Sequence, residues 1–362
     1  MIAKKMDLVL LLIFSLLSAL CLHGISQQIS PQNPDFECVD IYKQPAFQHP
    51  LLKNHKIQVK LNPTETGMDY NKRNNQSNVF GELKDLCPQG QVPIQKPNPV
   101  NESYHMMSTE FFGQHFAALE TGEETTGVYK EASARMSIHA PRVANNQYSR
   151  ASIWVESGPT DQRNSIHFGW AAHSRIYSDS RPRLTAFWTA DGYKQTGCYN
   201  TICPGFVQVD KQIYVGMQML PRTSNGGPEF VSEFSIVQDP SFGNWMLKCD
   251  GTLVGYWPNE VFTHLKNGAT FIRYGGNVFE SPDGISPAMG NGAFPADAAS
   301  GYETSAFFTQ CKYSTEQADN VAISSSVVKV VNDLPSCFNI RYFQNQIPNL
   351  GQMFAYGGHC GK

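Results

Sequence analysis

From residue 111 onward the chain breaks repeatedly into short runs of β-branched and aromatic residues between turn-formers. That rhythm limits the available folds more than any other feature. The runs 149–155, 165–171, 184–189, 205–215, 229–237, 252–257, 270–274 and 305–312 read as strands, punctuated by Gly-Pro, Asp-Gly, Asn-Gly-Gly and Tyr-Gly-Gly sequences. Many short strands without alternating helices predict an all-β fold, an antiparallel β-sandwich. Only 260–265 reads as a helical turn or two. Charged residues make up 16% and aromatics 12%, where an average soluble domain carries ~25% charge. The net charge of −3 gives no electrostatic reason for a nucleic-acid partner.

The front of the chain has a different texture. Lys4 and Lys5 precede an apolar run over 8–22, then Gly24-Ile25-Ser26. A run this short falls below the ~20 residues that a membrane-spanning helix needs, and it fits a cleaved signal peptide over 1–26. No later segment is apolar enough to span, so the expected product is secreted, to the extracellular space, the cell wall or the vacuole. Residues 27–112 then read as a smaller propeptide domain and linker, rich in Pro, Asn, Gln and Lys, with Pro93, Pro97 and Pro99 extending the linker. Asn75 and Asn101 lie in the acceptor pattern for N-glycosylation. The β-rich domain occupies 113–362.

Nine cysteines are present, and Cys21 leaves with the signal peptide. The remaining eight form an even set, as in an oxidising compartment. Spacing pairs Cys198 with Cys203 across a short loop, Cys337 with Cys360 at the C-terminal tail, and Cys38 with Cys87 in the front segment. Elimination then pairs Cys249 with Cys311. Cys198 and Cys203 lack a second pair of spaced ligands, so neither metal nor other cofactor is expected.

The sequence contains no Gly-x-Ser-x-Gly elbow, no His-Glu-x-x-His helix and no phosphate-cradling glycine loop. A cysteine nucleophile is disfavoured because every mature cysteine has a candidate partner. Carboxylates and histidines on a β scaffold remain. Strand alternation puts Glu156 on one face with Trp154, where an aromatic wall would raise a carboxyl pKa and suit a general acid. Glu260, after Trp257, is a similar candidate; a solvated surface role competes for both.

The segment Glu37-Cys38-Val39-Asp40-Ile41-Tyr42-Lys43-Gln44-Pro45-Ala46-Phe47, continuing through His49-Pro50-Leu51-Leu52-Lys53-Asn54-His55, resembles the activation peptide of the neprosin family of secreted plant proteins. Phe187-Trp188-Thr189-Ala190-Asp191-Gly192-Tyr193, Gly197-Cys198-Tyr199-Asn200, Cys203-Pro204-Gly205-Phe206, Val254-Gly255-Tyr256-Trp257-Pro258 and Met289-Gly290-Asn291-Gly292 follow in the family's order. The resemblance implies a β-sandwich with post-proline glutamic endopeptidase ancestry, preceded by a propeptide that acid removes. Two glutamates carry that chemistry, one as base and one as protonated oxyanion donor. The first follows Ile in an Ile-Glu-x-Gly-Trp strand, which here reads Ile166-His167-Phe168-Gly169-Trp170. The second follows Trp-Gly-Gly, which here reads Tyr274-Gly275-Gly276-Asn277. His167 and Asn277 therefore replace both acids. The expected protein is weakly active or inactive and binds peptides, with proline-rich partners implied by the family. The alternatives are an endopeptidase with altered His/Asn chemistry, confined to near-neutral pH by a histidine titrating near ~6.5, and a wall protein that binds glycans. Trp170 and Tyr274 flank the two positions and are expected to line the cleft.

Overall fold

The longest strands alternate strictly between two chemistries. Over 148–157, residues Ala151, Ile153 and Val155 point one way into the apolar core, while Arg150, Ser152, Trp154 and Glu156 point the other. The computed structural model describes residues 35–60, 79–81, 83–96, 113–122, 127–177, 179–220, 230–296 and 302–360. The expected signal peptide, Asn75 and Asn101 lie outside them.

Two antiparallel sheets stack through their apolar faces. The first runs in the order β16 (Val328–Asn332), β3 (Gln114–Thr121), β13 (Phe271–Phe279), β5 (Tyr148–Ser157), β6 (Asn164–His173), β7 (Arg183–Thr189) and β8 (Cys198–Tyr199). The second runs β17 (Asn339–Gln344), β18 (Met353–Gly357), β14 (Ala306–Thr315), β4 (Tyr129–Ser137), β10 (Val231–Gln238), β11 (Trp245–Cys249), β12 (Thr252–Trp257) and β9 (Val207–Gln208), with β15 (Val321–Ala322) beside β14. Among the described residues the α-helical content is one short turn, α1 (Ser174–Tyr177), and the expected turns near 260–265 form as 3-10 turns. The fold is all-β, as expected.

Aromatic side chains join the sheets. Phe168 on β6 meets Phe234 on β10 edge-on, at 5.4 Å between ring centres. The Trp170 indole donates to Ser137 O at 3.0 Å, and the Tyr274 hydroxyl to Lys312 O at 2.6 Å. Both residues are fully buried between the sheets. The expectation that Trp170 and Tyr274 line a cleft is therefore corrected. Each stands three residues from its reference position, and an odd separation on a strand leads to the opposite face.

Disulfides form at Cys38–Cys87, Cys198–Cys203 and Cys337–Cys360. Cys249 and Cys311 do not pair: both are buried, free thiols. Elimination failed because an even count does not require every thiol to lie near another.

Residues from Phe36 onward form one compact unit, so the described front segment is docked on the sandwich. Its strands β1 (Phe36–Asp40) and β2 (Gln91–Gln95) pair with each other. The Gln44 side chain donates to Gln208 O at 3.1 Å and accepts from Gln208 N at 2.7 Å. His55 Nε2 lies 2.8 Å from the Tyr256 hydroxyl, which also accepts from Gln58 N at 2.9 Å.

Candidate active-site cleft

The polar face of the first sheet presents its side chains in register. Trp154 on β5 lies between Arg273 on β13 and His167 on β6, and Arg150 pairs with Asn277 across the β5–β13 ladder. These positions line or underlie a cleft of about 340 Å³, whose lining includes Phe116, Arg150, Trp154, Glu156, Arg163, His167, Tyr193 and Arg273. Gly169 lies on this face beside His167, and there a Cβ would come within 2.0 Å of Ala151 O. Only a glycine lets β5 and β6 approach so closely. The Asp191 carboxylate accepts the backbone N–H groups of Lys194, Gln195 and Thr196, and Thr189 Oγ1 accepts that of Tyr193. That turn holds Tyr193 at φ 64, a left-handed conformation that sets its ring at the cleft.

A buried polar chain runs across the sheet. Arg150 Nε donates to Asn277 Oδ1 at 2.8 Å, and its NH1 donates to His167 Nδ1 at 3.3 Å. An arginine can only donate, so His167 Nδ1 accepts and Nε2 carries the proton. Nε2 then donates to Ser165 Oγ at 2.7 Å, and Ser165 Oγ donates to Glu156 Oε1 at 2.8 Å. Arg163 closes the chain, donating from NH1 to Glu156 Oε2 at 2.9 Å. This direction excludes Ser165 as a nucleophile activated by His167, because the nitrogen facing the hydroxyl is already protonated.

The charges follow. Burial pushes the His167 imidazole down; the Glu156 carboxylate opposes this, but Arg150 adds to burial and the group is held at about 3. Burial alone would raise Glu156, yet its link to His167 and the charges of Arg273 and Arg163 hold it at about 2. The expected elevated carboxyl is thus corrected. Glu156 does stand in the cleft with Trp154, but as an ionised acceptor with no proton to give. A histidine base titrating near neutrality is corrected by the same neighbours.

Asn277 is fully buried beneath the cleft lining, with Oδ1 on Arg150 and Nδ2 donating to His115 O at 3.1 Å. The His167 Nδ1 lone pair and the Asn277 Nδ2 donor are thus both turned to protein partners. Glu260 lies exposed on a 3-10 turn away from the lining residues, which corrects its placement. Sequence reasoning missed Arg150, Arg163, Arg273, Phe116 and Tyr193. For Arg150, parity with Glu156 along one strand was the available signal. Arg273, on another strand, required the pairing register. Among the described residues no cluster of His, Cys, Asp or Glu could hold a metal ion, and no helix is long and apolar enough to cross a membrane.

Residues 145–359 match the family model described as Neprosin, and residues 29–140 match that described as Neprosin activation peptide. The second match extends through β3 and β4, into the sandwich itself. Two solved structures of scytalido-glutamic peptidase, one with a peptide-based transition state analog and one with a transition state analog inhibitor, are similar at 12% identity. Each comparison covers 68% of this chain and 98% of the other, with TM-scores of 0.36 and 0.38. CG-16, a homodimeric agglutinin from chicken liver, is similar at 8% identity over 45% of this chain and 96% of its own, with a TM-score of 0.25.

Proposed function

Because the chain belongs to the neprosin family, we propose that it is a secreted member retired from peptide hydrolysis, which keeps its cleft as a peptide-binding site. One observation carries this reading. Arg150 bridges the two positions where the family's acids belong, occupying Asn277 Oδ1 and His167 Nδ1 together. General-base catalysis needs a lone pair within hydrogen-bond reach of water, and oxyanion stabilisation needs a donor aimed into the cleft. The His167 Nδ1 lone pair is taken by Arg150, and the Asn277 Nδ2 donor by His115 O. Losing a positioned base alone costs ~10²–10⁴-fold in rate.

Retention of a cleft supports binding without chemistry. Phe116, Trp154 and Tyr193 supply aromatic surface there, and flat aromatic faces suit proline rings, in keeping with the proline-containing ligands of the family resemblance. Three disulfides support passage through an oxidising compartment, and hence secretion after loss of residues 1–26.

The test is hydrolysis of a proline-containing peptide from acid to neutral pH, beside the double variant His167→Glu with Asn277→Glu. The expected result is a silent wild type and a variant that cuts in acid. Cleavage by the wild type above the uncatalysed rate overturns the reading.

A further inference from the structure

We propose that the cleft selects acidic peptides, seating a carboxylate among Arg150, Arg163 and Arg273 while the neighbouring residue packs on Trp154 and Tyr193. This rests on the peptide-binding reading above and names its ligand class. Three guanidinium groups line the cleft, against a single carboxylate, Glu156. Each guanidinium offers five N–H donors in a fixed fork suited to carboxylates.

The three cations are held from behind, so a ligand need not order them. Arg150 is 2% exposed, fixed by Asn277 and His167, and its guanidinium lies 5.0 Å from the Tyr148 ring centre and 5.6 Å from that of Trp154. Arg273 donates from Nε to Glu120 at 2.7 Å and lies 4.6 Å over Phe116. Arg163 gives NH1 to Glu156, while its Nε–H has no acceptor among the described residues. Such preorganisation lowers the entropic cost of binding. The surplus positive field has a second signature: it helps to keep Glu156 ionised and His167 neutral although both are buried. A ligand carboxylate entering this partly dry site would meet stronger attraction than in water.

Calorimetric titration of the full chain separates the possibilities. The probes are N-acetylated Phe-Pro-x-Phe peptides: x as Glu with an amidated C-terminus, x as Gln with an amidated C-terminus, and x as Gln with a free C-terminal carboxylate. At about pH 6 and low salt, an acidic peptide should bind roughly tenfold or more tighter than the neutral one. Which acidic peptide leads tells a side-chain carboxylate from a terminal one. The preference should narrow at about 0.5 M salt, and it should fade below about pH 4 as the glutamate ligand protonates. Arg163→Gln should reduce it, and the wild-type comparison stands without that variant. Equal binding of all three peptides overturns the acidic selectivity while leaving peptide binding intact. Binding of none, or of a uronic-acid oligosaccharide alone, overturns the peptide reading and this inference with it.

Discussion

Arg150 ties Asn277 to His167, so its removal strands a buried amide oxygen and a buried ring nitrogen together. Arg150→Met should lower unfolding stability by about 3 kcal/mol in urea titration, since each orphaned buried polar group costs ~1–3 kcal/mol. Loss below about 0.5 kcal/mol would remove Arg150 as the organising group. His167 gives a pH signature. It titrates at about 3 in the fold and near ~6.5 when unfolded, so between these values only the unfolded chain takes up the proton. Its contribution is complete above ~6.5 and declines as pH falls toward 3. Glu156 acts lower down: its folded pKa of about 2 lies below the ordinary 4.5, so its contribution is present above 4.5 and lost as pH falls toward 2. His167→Gln, which can still accept from Arg150 and donate to Ser165, should flatten the fall of Tm between pH 6.5 and 3. An unchanged slope would shift that role to His173, also buried and pushed well down, first by burial and then by Arg150 and Arg175.

Strand parity decides what each substitution touches. Trp170→Phe should cost about 2 kcal/mol through the lost bond to Ser137 O and lost volume, with peptide affinity unchanged. Trp154→Phe, on the cleft face, should weaken peptide binding, and calorimetry on both variants tests the assignment of faces. The front segment carries a different sensitivity. His49 and His55 are half-buried and their pKa values are lowered by that burial, with Glu260 opposing at His55. Protonation is therefore disfavoured while the segment is docked, and docking should weaken as pH falls through ~6.5. Hydrogen exchange at the Gln58 amide, which donates to Tyr256, should accelerate between pH 7 and 5 relative to core amides, after correction for intrinsic rates. Uniform behaviour would exclude a histidine-controlled contact. Sequence legibility also varied by element. β5, β6, β7, β10 and β13 stood out through β-branched and aromatic residues, whereas β3 and β4, built on Ala, Ser and Glu, did not. Their pairing with β13, β10 and β14 makes them strands, because sheet context overrides a weak β preference.

Among the described residues of the whole molecule, three disulfides join Cys38 to Cys87, Cys198 to Cys203 and Cys337 to Cys360, while two thiols, Cys249 and Cys311, are buried inside the sandwich. Burial pushes both Cys249 and Cys311 up, so in the native fold these two thiols should be inert to thiol reagents. Unfolding without reductant should expose both, and labelling of either in the native state would contradict their burial. Hydrophobic alternation and turn residues were enough to determine an all-β sandwich, because those patterns act locally and each strand must bury one face wherever it pairs. Strand parity already places Trp170 and Tyr274 on the faces opposite His167 and Asn277, but the sequence could not show that Cys249 and Cys311 stay apart, or that Arg150 sits between His167 and Asn277. Those facts depend on which strands become neighbours. Register between β13, β5 and β6, set by packing over distant parts of the chain, brings Arg150, His167 and Asn277 into one buried chain and leaves a cationic cleft above them.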